Sequence, residues 1–172
     1  MKNIVLIGMP GCGKSTIGVL LAKTLVKEFV DTDLLIQATY EKSLCDLIAQ
    51  YGLEGFKQLE NDLISQHSFQ NCVVATGGSA VYGEEAMKKL KENGILVYLK
   101  LSPADILGRI QNITTRGIVM PKGCTITELY DQRAPLYEQF ADLTIDCSSL
   151  HIEDCVAAIL KTIQTGVTDD VM

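Results

Sequence analysis

Short runs of Val, Ile and Leu alternate along the chain with longer stretches in which apolar residues recur every three to four positions. The first pattern belongs to strands buried on both faces and the second to helices with one buried face, so the alternation predicts a parallel sheet with crossover helices. Five strands are expected, at Asn3 to Ile7, Glu28 to Asp31, Cys72 to Ala75, Ile95 to Leu99 and Leu143 to Asp146. Between them, Leu20, Leu21 and Leu25, then Leu44, Leu47 and Ile48, then Leu59, Leu63 and Ile64 mark helix faces that pack on a core. Further helices are expected near 84 to 92, 103 to 110, 125 to 139 and 152 to 163. Gly94 closes the first of these, and Ser102 with Pro103, a cap followed by a first-turn proline, opens the second. Right-handed crossovers put helices on both faces of the sheet, which makes the fold class α/β, a three-layer α/β/α sandwich. The stretch from Asn112 to Gly123 lacks periodicity, carries Gly117, Pro121 and Gly123, and reads as a loop able to move; the tail after Gly166 reads as frayed.

Composition narrows the function classes. At 172 residues with 47% hydrophobic and 21% charged positions, residues 1–172 are read as a single domain with an ample core. The net charge of -6 argues against a surface that neutralises a nucleic-acid backbone, because that needs clustered Lys and Arg in excess. No apolar run approaches the roughly 18 residues of a membrane span, and Ile4 to Ile7 is too short for a secretory segment. A soluble, cytoplasmic protein with neither nucleic-acid nor membrane partners is expected. The six cysteines have no CxxC pair and only His67 and His151 to join them, which points to reduced thiols serving as small hydrophobes rather than to zinc. Cys12 is set apart, since it sits inside a functional motif where oxidants could reach it.

That motif is Gly8-Met-Pro-Gly-Cys-Gly-Lys14-Ser15, of the form G-x-x-x-x-G-K-[ST], placed after an apolar strand and leading into a helix near Ser15 and Thr16. Its glycines permit a tight turn whose amides, at Gly11, Cys12, Gly13 and onward to Thr16, converge on phosphate oxygens at a helix N-terminus. Lys14 supplies a cation for the β- and γ-phosphates, and Ser15 a hydroxyl for Mg²⁺. An N-K-x-D guanine-reading element is missing, so a signal-type GTPase is set aside. The remaining reading is an ATP-dependent kinase for a small molecule.

Asp31-Thr-Asp33 closes the second strand, and ligands of open α/β sheets bind beyond the carboxyl ends of strands. Asp31 suits the magnesium and Asp33 suits an attacking hydroxyl, as a base or as an orienting group. A third strand end, Ala75-Thr-Gly77-Gly78-Ser79, lets backbone approach a bound substrate. Arg116 lies in the aperiodic loop, where closure would bring a guanidinium onto the transferring group. Arg133 is the last isolated cation before the final strand. Taken singly, each arginine reads as a solvated surface group.

Gly8 to Ser15, Asp31-Thr-Asp33, Gly52-Leu-Glu-Gly-Phe56-Lys57-x-x-Glu60, Ala75-Thr-Gly-Gly78 and Arg133-Ala-Pro-Leu-Tyr137 occur in the order and spacing of the shikimate kinase family, which the chain resembles from Asn3 to about Ile163. The resemblance implies an adenylate-kinase-like P-loop fold with a five-stranded parallel sheet, a small helical substrate-binding region at about 33–61 and a lid at about 111–123. It implies a monomer that transfers the γ-phosphoryl of ATP to the 3-hydroxyl of shikimate. On this basis Lys14 and Arg116 serve the phosphates, Ser15 and Asp31 the magnesium, and Arg109 the adenine. The acceptor falls to Asp33, Gly77, Gly78, Ser79 and Arg133. Three positions depart from the family pattern: Lys57 stands for arginine, keeping a charge near the acceptor without the planar fork; Ser79 for a third glycine; and Gly117 for proline. A kinase for another small polyol or hydroxy acid, and a nucleotide-binding module without catalysis, remain the alternatives.

Overall fold

A computed structural model describes residues 2–110 and 117–166. In chain order the elements are β1 (Asn3–Ile7), α1 (Lys14–Leu25), β2 (Glu28–Asp31), α2 (Thr32–Tyr40), α3 (Leu44–Gln66) and β3 (Cys72–Ala75). A short 3-10 turn (Ala80–Tyr82) follows, then α4 (Glu84–Glu92), β4 (Gly94–Lys100), α5 (Pro103–Arg109), α6 (Ile126–Phe140), β5 (Leu143–Asp146) and α7 (Ile152–Gly166). All five expected strands form. They pair in parallel in the order β2-β3-β1-β4-β5.

The sheet interior explains why the strands were legible. Every residue of β1 and β3 is buried, and apart from Asn3 all of them are apolar. Leu6, Ile7, Val73 and Val74 have no exposed surface, and each such side chain contributes roughly 1.5–3 kcal/mol of burial. The central place of β1, between β3 and β4, puts the turn that follows it at the middle of the sheet's carboxyl edge.

Helix boundaries follow local chemistry. Ser102 accepts from the Asp105 amide ahead of Pro103, and Thr125 with Glu128 forms a reciprocal capping box at the start of α6. Two features escaped the hydrophobic pattern. Asp31 is both the last residue of β2 and the cap of α2, so strand passes into helix with no loop between them. Gly52 has φ 72° and ψ 177° inside α3, a conformation glycine tolerates, and splits it into two helical pieces. The piece after the kink carries Phe56 and Glu60, four apart and therefore on one face. No helix among the described residues is long and apolar enough to cross a membrane. The tail after Gly166 and residues 112–116 of the expected loop lie outside the described residues.

Candidate active site

At the carboxyl edge of the sheet lies a cavity of about 610 Å³, lined by Gly11, Gly13, Lys14, Ser15 and Thr16 from the first turn and by Asp33, Phe56, Gly77, Gly78, Ser79 and Arg133 from later elements. Arg109, Leu150, His151 and Ile152 form another part of its wall. The turn after β1 is tight. A Cβ at Gly8 would stand 2.8 Å from the Leu99 carbonyl oxygen, and Gly13 takes φ 99° as the cap of α1. No side chain caps Gly13, so the first-turn amides of α1 are left for a ligand. Lys14 is buried, its ammonium donating to the carbonyl oxygens of Gly8 at 2.7 Å and Met9 at 2.8 Å. It is held within the loop at the cavity wall rather than free in solvent.

Cys12 departs from expectation. It is 1% exposed, does not line the cavity, and its Sγ lies 3.7 Å from the Lys14 ammonium. The thiol belongs to the buried core, so the exposure to oxidants expected from its place in the motif is not found. No disulfide joins any of the six cysteines.

Ser15 donates its hydroxyl to Asp31 Oδ2 at 2.7 Å, while Asp31 Oδ1 accepts from the amides of Asp33 and Leu34. A hydroxyl and a carboxylate thus meet beside the first turn of α1, a pair of hard oxygen donors of the kind magnesium prefers. Asp33, in the first turn of α2, enters the cavity. Burial, seconded by the negative charge of Asp31 and opposed by Lys14, raises its pKa to about 6.

Glu60 had only a place in a motif, and the structure gives it surroundings. It is 1% exposed, its Oε2 accepts from the Ser79 hydroxyl at 2.5 Å, and its Oε1 has no hydrogen-bond partner. Burial raises its pKa to about 7; the Ser79 hydrogen bond, Arg133 and Lys14 oppose the shift and Asp33 adds to it. Glu60 and Asp33 converge over Gly77, where a Cβ would stand 2.5 Å from Glu60 Oε1 and 2.6 Å from Asp33 Oδ1. Ser79 lines the cavity, but its hydroxyl is committed to Glu60 rather than offered to an acceptor.

The loop after β3 is fastened from three sides. The Gly77 amide donates to Thr32 Oγ1, the Thr76 hydroxyl to the Leu6 carbonyl, and Tyr137 Oη to the Gly78 carbonyl at 2.6 Å. Arg133, on α6 one turn before Tyr137, is no surface group. It is 1% exposed and forms no ion pair with any described residue; Nη2 donates to the Val119 carbonyl, and Nη1 stands 3.0 Å from where a Gly78 Cβ would be. Lys57 is not brought to the cavity wall. It lies one residue beyond Phe56, about 100° around the helix. Its ammonium pairs with Glu54 at 2.8 Å and sits 4.4 Å from the centre of the Tyr82 ring. Arg116 lies outside the described residues; Gly117, Ile118 and Val119, which follow it in the sequence, line the cavity. Sequence patterning gave Glu60 no role and missed Val119 and the wall at 150–152, since none of these carries a periodic signal of its own.

A family model for shikimate kinase matches residues 10–164. The shikimate kinase of Caldanaerobacter subterraneus subsp. tengcongensis is 36% identical over 164 residues, covering 94% of this chain and 95% of that protein. That of Bacillus mycoides is 34% identical over 165 residues, covering 95% and 99%. Among solved structures, shikimate kinase from Acinetobacter baumannii in complex with shikimate superposes with a TM-score of 0.87 at 29% identity, over 96% of this chain and 94% of that one. A gluconokinase from Sinorhizobium meliloti, at 16% identity and a TM-score of 0.53, shares the fold alone.

Proposed function

Because the chain belongs to the shikimate kinase family, we propose that its cavity binds ATP beside shikimate and transfers the γ-phosphoryl group to the 3-hydroxyl, a step of aromatic amino-acid biosynthesis. One observation carries this reading: Arg133, which forms no ion pair with any described residue, is buried in the same cavity as Asp33 and the first-turn amides of α1. A buried charge left unpaired costs several kcal/mol, roughly, and a substrate carboxylate offsets that cost.

The amides of Gly11 and of Gly13 to Thr16 hold the phosphates, and Lys14 exchanges its carbonyl partners for their oxygens, placing positive charge where negative charge builds up in the transition state. Ser15 and Asp31 supply oxygen ligands suited to Mg²⁺. When bound, that ion neutralises phosphate charge. Asp33 accepts the hydroxyl proton as the acceptor oxygen bonds to phosphorus and the bond to the departing ADP oxygen breaks. A carboxyl with a pKa of about 6 is ionised at neutral pH and yet more basic than an ordinary aspartate, which suits that duty. Gly77 and Gly78 let the acceptor ring lie against backbone, and Arg133 Nη1 takes its carboxylate. Arg109 and the wall at 150–152 are assigned to the adenine, and Arg116 to the phosphates on sequence alone.

The test is an ADP-coupled assay with ATP and magnesium against shikimate, gluconate and other small hydroxy acids. Saturable turnover with shikimate is expected. Turnover with another acceptor and none above background with shikimate would refute the assignment.

A further inference from the structure

Tyr82 lines no part of the cavity, yet two cations from different helices meet on it. The Lys57 ammonium of α3 stands 4.4 Å from the centre of its ring, and the Arg133 guanidinium of α6 lies 5.3 Å from the same centre. Arg133 Nε also donates to Tyr82 Oη at 3.4 Å, and Nη2 to the Val119 carbonyl. With both of these nitrogens held, the remaining one, Nη1, is the nitrogen beside Gly78. The phenol stands in the short 3-10 turn that begins one residue after Ser79, so its ring position is tied to the loop that carries Gly77 and Gly78.

Lys57 is better placed as a support for this ring than as a substrate ligand. Its ion pair with Glu54 is weak, since the Glu54 side chain is 87% exposed and solvent screens the charge. The ring face is the partly buried partner, and a cation over a tyrosine face is attracted by the ring quadrupole.

We propose that Tyr82 is a positioning residue for recognition of the acceptor's carboxylate, its hydroxyl and ring fixing the guanidinium of Arg133 while Lys57 braces the ring from α3. This rests on the assignment of Arg133 as the carboxylate anchor. It explains how a lysine serves at position 57: the charge acts on the ring that orients the fork of Arg133, and no second fork is required.

Steady-state kinetics of Tyr82→Phe, Tyr82→Leu and Arg133→Lys, with shikimate and with its carboxamide analogue, test this. Tyr82→Leu should raise the KM for shikimate about tenfold, leaving kcat and the KM for ATP within twofold. Tyr82→Phe keeps the ring beneath Lys57 and loses only the hydroxyl, so its rise should be about threefold. Neither variant should alter the KM for the carboxamide, which lacks the charge that Arg133 reads. Equal losses on both acceptors, or a parallel rise in the KM for ATP, would mean a merely structural role and overturn the inference. If Arg133→Lys leaves the shikimate KM unchanged, the anchor assignment falls and this inference with it. If Arg133→Lys raises that KM and neither Tyr82 variant does, the inference falls alone.

Discussion

Replacing Glu60 by Gln keeps the size and shape of a side chain that is 1% exposed and removes only its ability to ionise. The folded protein raises the pKa of this carboxyl from 4.5 to about 7, chiefly by burying it. Between those values the folded state binds more protons here than the unfolded chain does, so stability falls as pH rises through the window. The contribution of Glu60 is therefore fully present below pH 4.5 and lost by the time pH passes about 7. Each unit of pKa corresponds to about 1.4 kcal/mol, so the whole loss is on the order of 3 kcal/mol. Gln resembles the protonated carboxyl and escapes this loss. Urea unfolding followed by circular dichroism, for both proteins at intervals from pH 5 to pH 8, reads the difference. Relative to wild type, the variant should gain on the order of 2 to 3 kcal/mol across that range. Any fixed offset from exchanging the Ser79 hydrogen bond appears equally at every pH and drops out of the slope. A difference that stays flat, or that moves in favour of the wild type as pH rises, would show that Glu60 is not held as a neutral acid.

Four further outcomes test the site and the core around it. Gly77→Ala places a methyl group 2.5 Å from Glu60 Oε1 and 2.6 Å from Asp33 Oδ1, forcing the base to move; kcat should fall about 100-fold with ATP affinity retained, and a kcat within threefold of wild type would contradict the geometry. Asp33→Asn should lower kcat/KM by about two orders of magnitude or more without loss of nucleotide binding by calorimetry. In the wild type kcat/KM should decline below about pH 6 as Asp33 takes up a proton, and a flat acid limb there would remove Asp33 as the base. With Cys12, Cys72, Cys147 and Cys155 buried, only Cys45 and Cys124 should react quickly with a chromogenic disulfide in the native protein; rapid labelling of Cys12, located by mass spectrometry, would place that thiol outside the core.

The parts of the site that were readable in the chain are those whose residues are neighbours in sequence. The turn from Gly8 to Ser15 needs only a buried strand before it and a helix after it, and Asp31 caps α2 through amides two and three residues on. Local contacts of this kind are encoded in adjacent letters. The inner strands β1, β3 and β4 were readable for a related reason, since burial on both faces favours apolar residues, and the observed β4 adds one residue at each end to the run from Ile95 to Leu99.

Other properties came from the assembled fold. Glu60 on α3 has a place in a motif but no role in the sequence until Ser79 and the bare Cα of Gly77 are brought against it. Taken singly, Arg133 reads as a solvated surface group until α6 packs it beneath Tyr82 and the Val119 carbonyl, and Lys57 is turned from the cavity by a rotation of one residue about α3. The sequence alone determined the five strands, most of the helices between them, the phosphate-binding turn and the carboxylates at the tip of β2, because these depend on short-range geometry and on which residues water rejects. Tertiary structure decided which charges lose their water and which partners they meet in exchange. Desolvation depends on atoms supplied by distant segments, and so do the altered acidities of Asp33 and Glu60 and the burial of the Arg133 guanidinium.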